Sequence, residues 1–113
     1  MLQILHNPRC GKSRNCLTFL DNSKAEYEIR NYIQNPLSEE ELKILVKKLN
    51  IKPIELVRIK ESIWIDHFKN KTMSDSKIIK AIAQYPILME RPIVIKGNVA
   101  IIGRAIEKVE NFI

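Results

Sequence analysis

A short apolar run at residues 2 to 5, LQIL, is followed at once by residues that cannot continue a strand. Pro8 has no backbone N–H to give to a sheet, so Asn7 and Pro8 end the run. From about residue 11 to residue 20 the apolar side chains recur on one helical face, and the segment EYEIRNY then alternates as a strand does. The order strand, loop, helix, strand is typical of the beginning of a parallel α/β unit.

The middle of the chain has helical patterns instead. Ser38 and Glu41 have the spacing of a capping box at the start of a helix. In such a box the serine hydroxyl accepts the backbone N–H of the glutamate, and the glutamate side chain accepts the backbone N–H of the serine. Thr72 and Asp75 have the same spacing before another run of helical periodicity. We therefore predict a mainly helical insert over about residues 38 to 86.

The last part of the chain returns to strand patterns. Two β-branched runs, IVI and VAII, flank the pair Gly97-Asn98, which is a hairpin signal. A final helix is predicted from about residue 104 to residue 112, with Ile106, Val109 and Ile113 facing inward. The predicted order of elements is βαβ, helical insert and ββα.

Length and composition set broad limits on the chain. Its 113 residues are 45% hydrophobic, enough for a real core, and we expect one domain over residues 1–113. No apolar run is long enough to cross a membrane and no export signal is recognised, so we expect a cytoplasmic protein that binds no membrane. Thiols stay reduced there, and Cys10 and Cys16 are expected to be free.

The charge of the chain points to an anionic partner or to an ordinary surface. The net charge is +6, from 19 basic and 13 acidic residues, which fits nucleic acid, a membrane surface or a small oxyanion. Acidic residues separate the lysines along the sequence, which favours a solvated surface. We therefore expect no direct binding to nucleic acid.

The segment HNPRCGKSRNC, residues 6 to 16, carries the most chemistry in the chain. Cys10 lies at the junction of loop and helix. There the first backbone N–H groups have no intrahelical partner, and the helix dipole has its positive end. Arg9, Lys12 and Arg14 add positive charge. Such surroundings favour a thiolate, and the same N–H groups can bind an anion. The alternative is an inert cysteine at the start of a helix.

Several other sites are excluded by the spacing. A phosphate-binding P-loop needs a glycine where His6 stands, and a low-molecular-weight tyrosine phosphatase needs an arginine where Cys16 stands. Zinc sites favour two to four residues between cysteines, whereas five separate Cys10 from Cys16. Ser13 stands where a CxxC redox pair needs its second cysteine. Cys16 itself is predicted to be a small core residue of the helix.

Three arginines lie beside apolar stretches, where an unpaired charge is costly. Arg58 follows IELV, and Arg104 follows Gly103. Arg91 precedes Pro92 at the start of a predicted strand. In a thioredoxin-like arrangement an X-Pro bond at this place is commonly cis and faces the cysteine loop, which would bring Arg91 next to Cys10.

Four segments together resemble a known family. They are HNPRCGKSRN, ELVR, YPILMERPIV and IIGRA, in this order along essentially the whole chain. The sequence is similar to the glutaredoxin-coupled arsenate reductases, the ArsC-like family. The resemblance implies an α/β thioredoxin-like fold with a mainly helical insert between the βαβ and ββα halves.

The resemblance also implies a site and a reaction. Cys10 matches the nucleophile, and His6 matches a histidine that helps to organise the loop. The implied substrate-binding residues are three arginines and three residues at the helix start: Arg58, Arg91, Arg104, Gly11, Ser13 and Arg14. Cys10 would attack arsenate, glutathione would add to the arsenic adduct, and glutaredoxin would reduce the resulting mixed disulfide. No bound metal or cofactor is implied, since glutathione acts as a co-substrate.

Two other functions fit the same segments. One is a regulator of the Spx type, which binds RNA polymerase and characteristically carries CxxC near its N-terminus; Ser13 breaks that pattern. The other is a general thiol oxidoreductase without a role for arsenate. Three arginines favour a tetrahedral oxyanion over simple thiol exchange, because guanidinium groups match the charge and geometry of such an anion.

Overall fold

The computed structural model describes all residues from 1 to 113 and divides into two compact units. The first unit comprises residues 1–35 and 91–113, and the second comprises residues 36–90. The helical insert predicted at about 38 to 86 lies in the second unit, while a single domain over the whole chain stays a prediction. None of the helices has the length and apolar character needed to cross a membrane.

The first unit contains a four-stranded mixed sheet. Its strands are β1 (Leu2–His6), β2 (Tyr27–Asn31), β3 (Ile93–Lys96) and β4 (Val99–Ile102), in the spatial order β2-β1-β3-β4. β1 pairs parallel with β2 and antiparallel with β3, and β3 pairs antiparallel with β4. The predicted strand–helix–strand opening and the predicted hairpin are therefore confirmed.

Five α-helices complete the chain. They are α1 (Gly11–Ser23), α2 (Glu39–Leu49), α3 (Ser62–His67), α4 (Asp75–Gln84) and α5 (Ile106–Phe112).

One apolar core joins the sheet of the first unit to α1 and α5. Alternating strand residues and one face of each helix meet in it, because strands present every second side chain and helices every third or fourth to one side. Cys16 is fully buried there, as predicted. The other buried members are Leu2, Ile4, Leu20, Val94 and Val109.

The last helix begins later than the sequence predicts. The Gly103 N–H donates to the Pro92 carbonyl at 2.7 Å. The backbone of Ala105, the N-cap residue, is extended, so α5 starts only at Ile106. Arg104 consequently lies in the loop before the helix. Ile113 follows the last helical residue and is 37% exposed, so its predicted inward position is wrong.

The second unit packs α2 against α4. The predicted capping box of α2 is confirmed, with the Ser38 hydroxyl accepting from the Glu41 N–H and Glu41 accepting from the Ser38 N–H. The predicted cap of α4 at Thr72 is wrong, because Ser74 accepts the Lys77 N–H instead, serine being the better N-cap residue. The short helix α3 was not predicted; only six residues long, it is too short to show a clear period.

A glycine just before α5 is required by close packing. A Cβ at Gly103 would lie 3.0 Å from the Val109 Cγ2 atom and 3.3 Å from the Val94 Cγ2 atom. Both valines are fully buried, so neither side chain can move away without disturbing the core.

Gly103→Ala is therefore expected to lower the free energy of unfolding by about 1–3 kcal/mol, the usual cost of overpacking a core. The measurement is urea unfolding followed by circular dichroism. Gly11→Ala is the matched control, since its Cβ would meet only the Arg14 Nη2 atom, at 3.8 Å. Equal stability of the Gly103→Ala protein and the wild type would contradict the packing argument.

Candidate active site

The loop after β1 is closed by its own backbone. The Cys10 N–H donates to the Asn7 carbonyl at 3.0 Å, and the Arg9 N–H donates to the Asn7 Oδ1 atom at 3.0 Å. Asn7 is buried, so these bonds fix the turn from the inside of the loop. The turn places Cys10 at the N-cap of α1 in an extended conformation, with no acidic residue in the first helical turn.

Opposing effects act on the Cys10 thiol. Burial raises its pKa. A hydrogen bond from the Arg91 guanidinium, N–H groups of Ser13 and Lys12 that face the sulfur, and the charge of Arg91 all lower it. The lowering effects prevail, so the pKa of Cys10 lies below its ordinary value and the thiolate is favoured.

Arg91 has N–H donors that remain unpaired in addition to the one that bonds the Cys10 sulfur. It is the first residue of the segment 91–113 in the first unit and precedes β3, joined to Pro92 by a cis peptide bond. Its Nε and Nη1 atoms are buried and have no hydrogen-bond partner. Buried donors without partners are destabilising, so an anion whose oxygens accepted hydrogen bonds from this edge of the guanidinium would stabilise it.

His6 and Ser13 form a buried polar pair beneath the loop. The His6 Nδ1 atom lies 2.6 Å from the Ser13 Oγ atom. The Asn7 N–H donates to the same oxygen at 3.1 Å. Ser13 is completely buried and His6 is nearly so. Burial lowers the pKa of His6, and the nearby charge of Arg14 lowers it further, so the ring is held neutral.

The remaining loop residues form an exposed, positively charged rim. Arg9, Gly11, Lys12 and Arg14 are all exposed. The Arg14 Nη1 atom donates to the Pro8 carbonyl at 2.9 Å, which turns this side chain back over the loop.

The second cysteine of the segment is far less reactive. Cys16 lies inside the core, and burial raises the pKa of its thiol to about 11. Both cysteines are free thiols. Because the thiolate is the reactive form, Cys10 is the sulfur of this loop that can act as a nucleophile at neutral pH.

The other two predicted arginines have different surroundings. Arg58 lies in the second unit, where its Nη1 atom is 2.8 Å from a Glu61 oxygen and its Nε atom is 4.0 Å from a Glu90 oxygen. Arg104 is exposed and makes no ion pair. Both stay predictions as substrate-binding residues. No three His, Cys, Asp or Glu side chains come together as a metal site.

Known proteins are similar to this sequence along nearly its whole length. The sequence model of the ArsC family matches residues 5–112. The chain belongs to the ArsC family. Arsenate reductase of Neisseria meningitidis is 33% identical over 111 residues, which cover 96% of this chain and 95% of that protein. Arsenate reductase of Haemophilus influenzae is 39% identical over 108 residues, which cover 94% of this chain and 93% of that protein.

A solved structure extends the similarity to the fold. The arsenate reductase from Vibrio cholerae matches this ArsC-family chain with a TM-score of 0.93 and 33% identity, covering 99% of this chain and 97% of that one. The predicted family and the predicted thioredoxin-like α/β fold are therefore confirmed.

Sequence reasoning missed some partners of the residues predicted for this ArsC-family site. The strand pattern marks Asn7 only as the end of a strand, although asparagine beside proline also signals a turn. Glu61 and Glu90 were not recognised as partners of Arg58. The first lies three residues after Arg58, a spacing that brings side chains together in a helical turn, whereas the second reaches Arg58 only through the fold.

Removing the guanidinium at Arg91 tests its effect on the thiol. Arg91→Ala is expected to move the midpoint of Cys10 alkylation up by about one pH unit or more, because a nearby opposite charge lowers a pKa by roughly that amount. The rate of reaction with iodoacetamide against pH measures it. Lys24→Ala removes a cation from the far end of α1 and should leave the profile unchanged. An unchanged profile for Arg91→Ala would remove this arginine from the site.

Proposed function

We propose that this ArsC-family chain is an oxidoreductase that reduces arsenate through the Cys10 thiolate. The observation that carries the proposal is the Arg91 guanidinium, which reaches the sulfur and leaves the buried Nε and Nη1 donors unpaired. Relatives that cover nearly the whole chain are named arsenate reductases, which supports the same substrate.

The first step joins sulfur to arsenic. The Cys10 thiolate attacks the arsenic of a bound arsenate, an As–O bond breaks, and the departing oxygen leaves as water after it takes up protons. Arg91 and the N–H groups at the start of α1 balance the negative charge of the bound anion. Arsenic remains in its oxidised state in this Cys10 adduct.

The later steps need thiols from outside the chain. A glutathione thiol replaces another oxygen on arsenic, and a disulfide then forms between Cys10 and glutathione. Formation of that S–S bond transfers two electrons to arsenic, which leaves as arsenite. Glutaredoxin, supplied with glutathione, then reduces the disulfide and restores the Cys10 thiolate. Cys16 is not available for this role, because it is buried in the core.

Further groups complete the proposed site. We assign Arg58 and Arg104 to the oxyanion as well, with Gly11, Ser13 and Arg14 at the start of α1. Guanidinium groups suit this task because they remain charged and can donate two parallel hydrogen bonds to neighbouring oxygens. The proposed chemistry uses no bound metal or organic cofactor, and we propose a cytoplasmic location, where thiols stay reduced.

Replacement of each cysteine separates this mechanism from others. Cys10→Ser should reduce arsenate turnover to the background rate, whereas Cys16→Ala should keep most of it, since only the first sulfur is the nucleophile. The assay follows arsenate-dependent NADPH oxidation in the presence of glutathione, glutaredoxin and glutathione reductase. Equal loss in both variants would contradict a mechanism with a single reactive cysteine.

The same assay distinguishes the competing functions. Omitting arsenate should abolish NADPH oxidation by the wild-type chain. Reduction of a model glutathione mixed disulfide by the chain and glutathione, at full rate and with neither arsenate nor glutaredoxin present, would instead identify a general thiol oxidoreductase and overturn the proposed substrate.

A further inference from the structure

The hydroxyl group of Ser13 has two neighbours and only one proton. Its Oγ atom lies 2.6 Å from the His6 Nδ1 atom and accepts the Asn7 N–H at 3.1 Å. Ser13 is completely buried, and the chain places no other hydrogen-bonding group against this oxygen. The direction of the bond to His6 can therefore be worked out by counting donors.

Only one direction satisfies every group. The Asn7 N–H can only donate, so it uses one lone pair of the Ser13 oxygen. If the His6 Nδ1 atom also carried a proton and donated it, the hydroxyl proton would be buried without an acceptor, which is costly. If the hydroxyl donates to an unprotonated Nδ1 atom, all three groups are satisfied.

We infer that Ser13 is a positioning residue whose hydroxyl donates to the His6 Nδ1 atom and holds the ring as the neutral tautomer with its proton on Nε2. The burial of both side chains keeps water from offering an alternative partner. The charged group that faces the ring, Arg14, acts in the same direction, because a cation opposes a second proton on the imidazole.

This assignment changes what His6 can do. Its Nδ1 lone pair is occupied by the hydroxyl, and its Nε2 atom is a donor without a partner in the chain. His6 therefore cannot take the proton of the Cys10 thiol at either nitrogen while the bond to Ser13 holds. The thiolate must be stabilised by Arg91 and by the backbone N–H groups, and not by a histidine cation.

Ser13 also connects the pair to the sulfur. Its side chain is fixed from below by His6 and Asn7, and its own backbone N–H faces Cys10 from the first turn of α1. Loss of the hydroxyl would free this part of the loop and weaken the N–H contribution to the thiolate. The inference rests on the proposed function only in taking Cys10 as the reacting sulfur.

Nitrogen-15 NMR of the wild-type protein tests the tautomer without any variant. At neutral pH the His6 Nε2 resonance should have the shift of a protonated nitrogen and the Nδ1 resonance that of an unprotonated one. The exposed His67 serves as an internal reference for an imidazole ring that has no buried hydrogen bond like that between His6 and Ser13. A proton on Nδ1, or on both nitrogens of His6, would overturn the inference.

The Ser13→Ala variant tests the positioning role. The midpoint of its Cys10 alkylation by iodoacetamide should move to higher pH, and His6 should lose its single tautomer. Ser13→Thr, which keeps a hydroxyl, should restore both if it folds. Ser23→Ala is the matched control, because it removes a hydroxyl that bonds the Leu20 carbonyl at the other end of α1.

The outcomes separate this inference from the proposed function. An unchanged alkylation profile together with an unchanged His6 tautomer in Ser13→Ala would overturn the positioning role. Neither readout contains arsenate. A wild-type chain with the expected tautomer but without arsenate turnover would therefore reject the proposed substrate and leave the role of Ser13 standing.

Discussion

The positive groups around Cys10 are the constraint on which the rest of the site depends. The first N–H groups of α1 have no partner within the helix, and no acidic side chain in the first turn neutralises them. The Arg91 guanidinium adds a full charge and keeps two buried donors unpaired. A thiolate accepts hydrogen bonds from some of these donors, and a bound oxyanion would accept them from the rest.

The loop holds this arrangement because its own polar groups are used for structure. Asn7 accepts two backbone N–H groups, one on its carbonyl and one on its side chain. Ser13 bridges Asn7 and His6 from the inside. The Cys10 sulfur and the unpaired N–H groups of Arg91 therefore remain free to react with or bind a substrate. Cys16, six residues further along the chain in the same helix, shows the contrast, since burial in an apolar core raises its pKa instead.

Many of the strand ends, turns and helix caps could be predicted from the sequence, because each depends on residues close to it in the chain. Pro8 ends a strand, Gly97 allows the hairpin turn at a φ of 61°, and Ser38 with Glu41 caps a helix; each acts through its own few neighbours. Cys10 could be placed at a helix start for the same reason.

The rest depends on contacts between distant segments, which a sequence pattern does not contain. The hydrogen bond from Gly103 to Pro92, beside the loop position of Arg104, joins two segments that no local pattern brings together. The pairing of Arg58 with Glu90 likewise requires the fold. The donor count at Ser13, which decides the state of His6, needs the buried oxygen and both of its neighbours in three dimensions.

Direct titration of the Cys10 thiolate tests the central claim. The ultraviolet absorbance of the thiolate can be followed against pH in a Cys16→Ala protein, where Cys10 is the only thiol. The account predicts a midpoint below about 8.5, the ordinary value of a free cysteine. A midpoint at or above that value would show that burial prevails over Arg91 and the helix N–H groups, and would contradict the account.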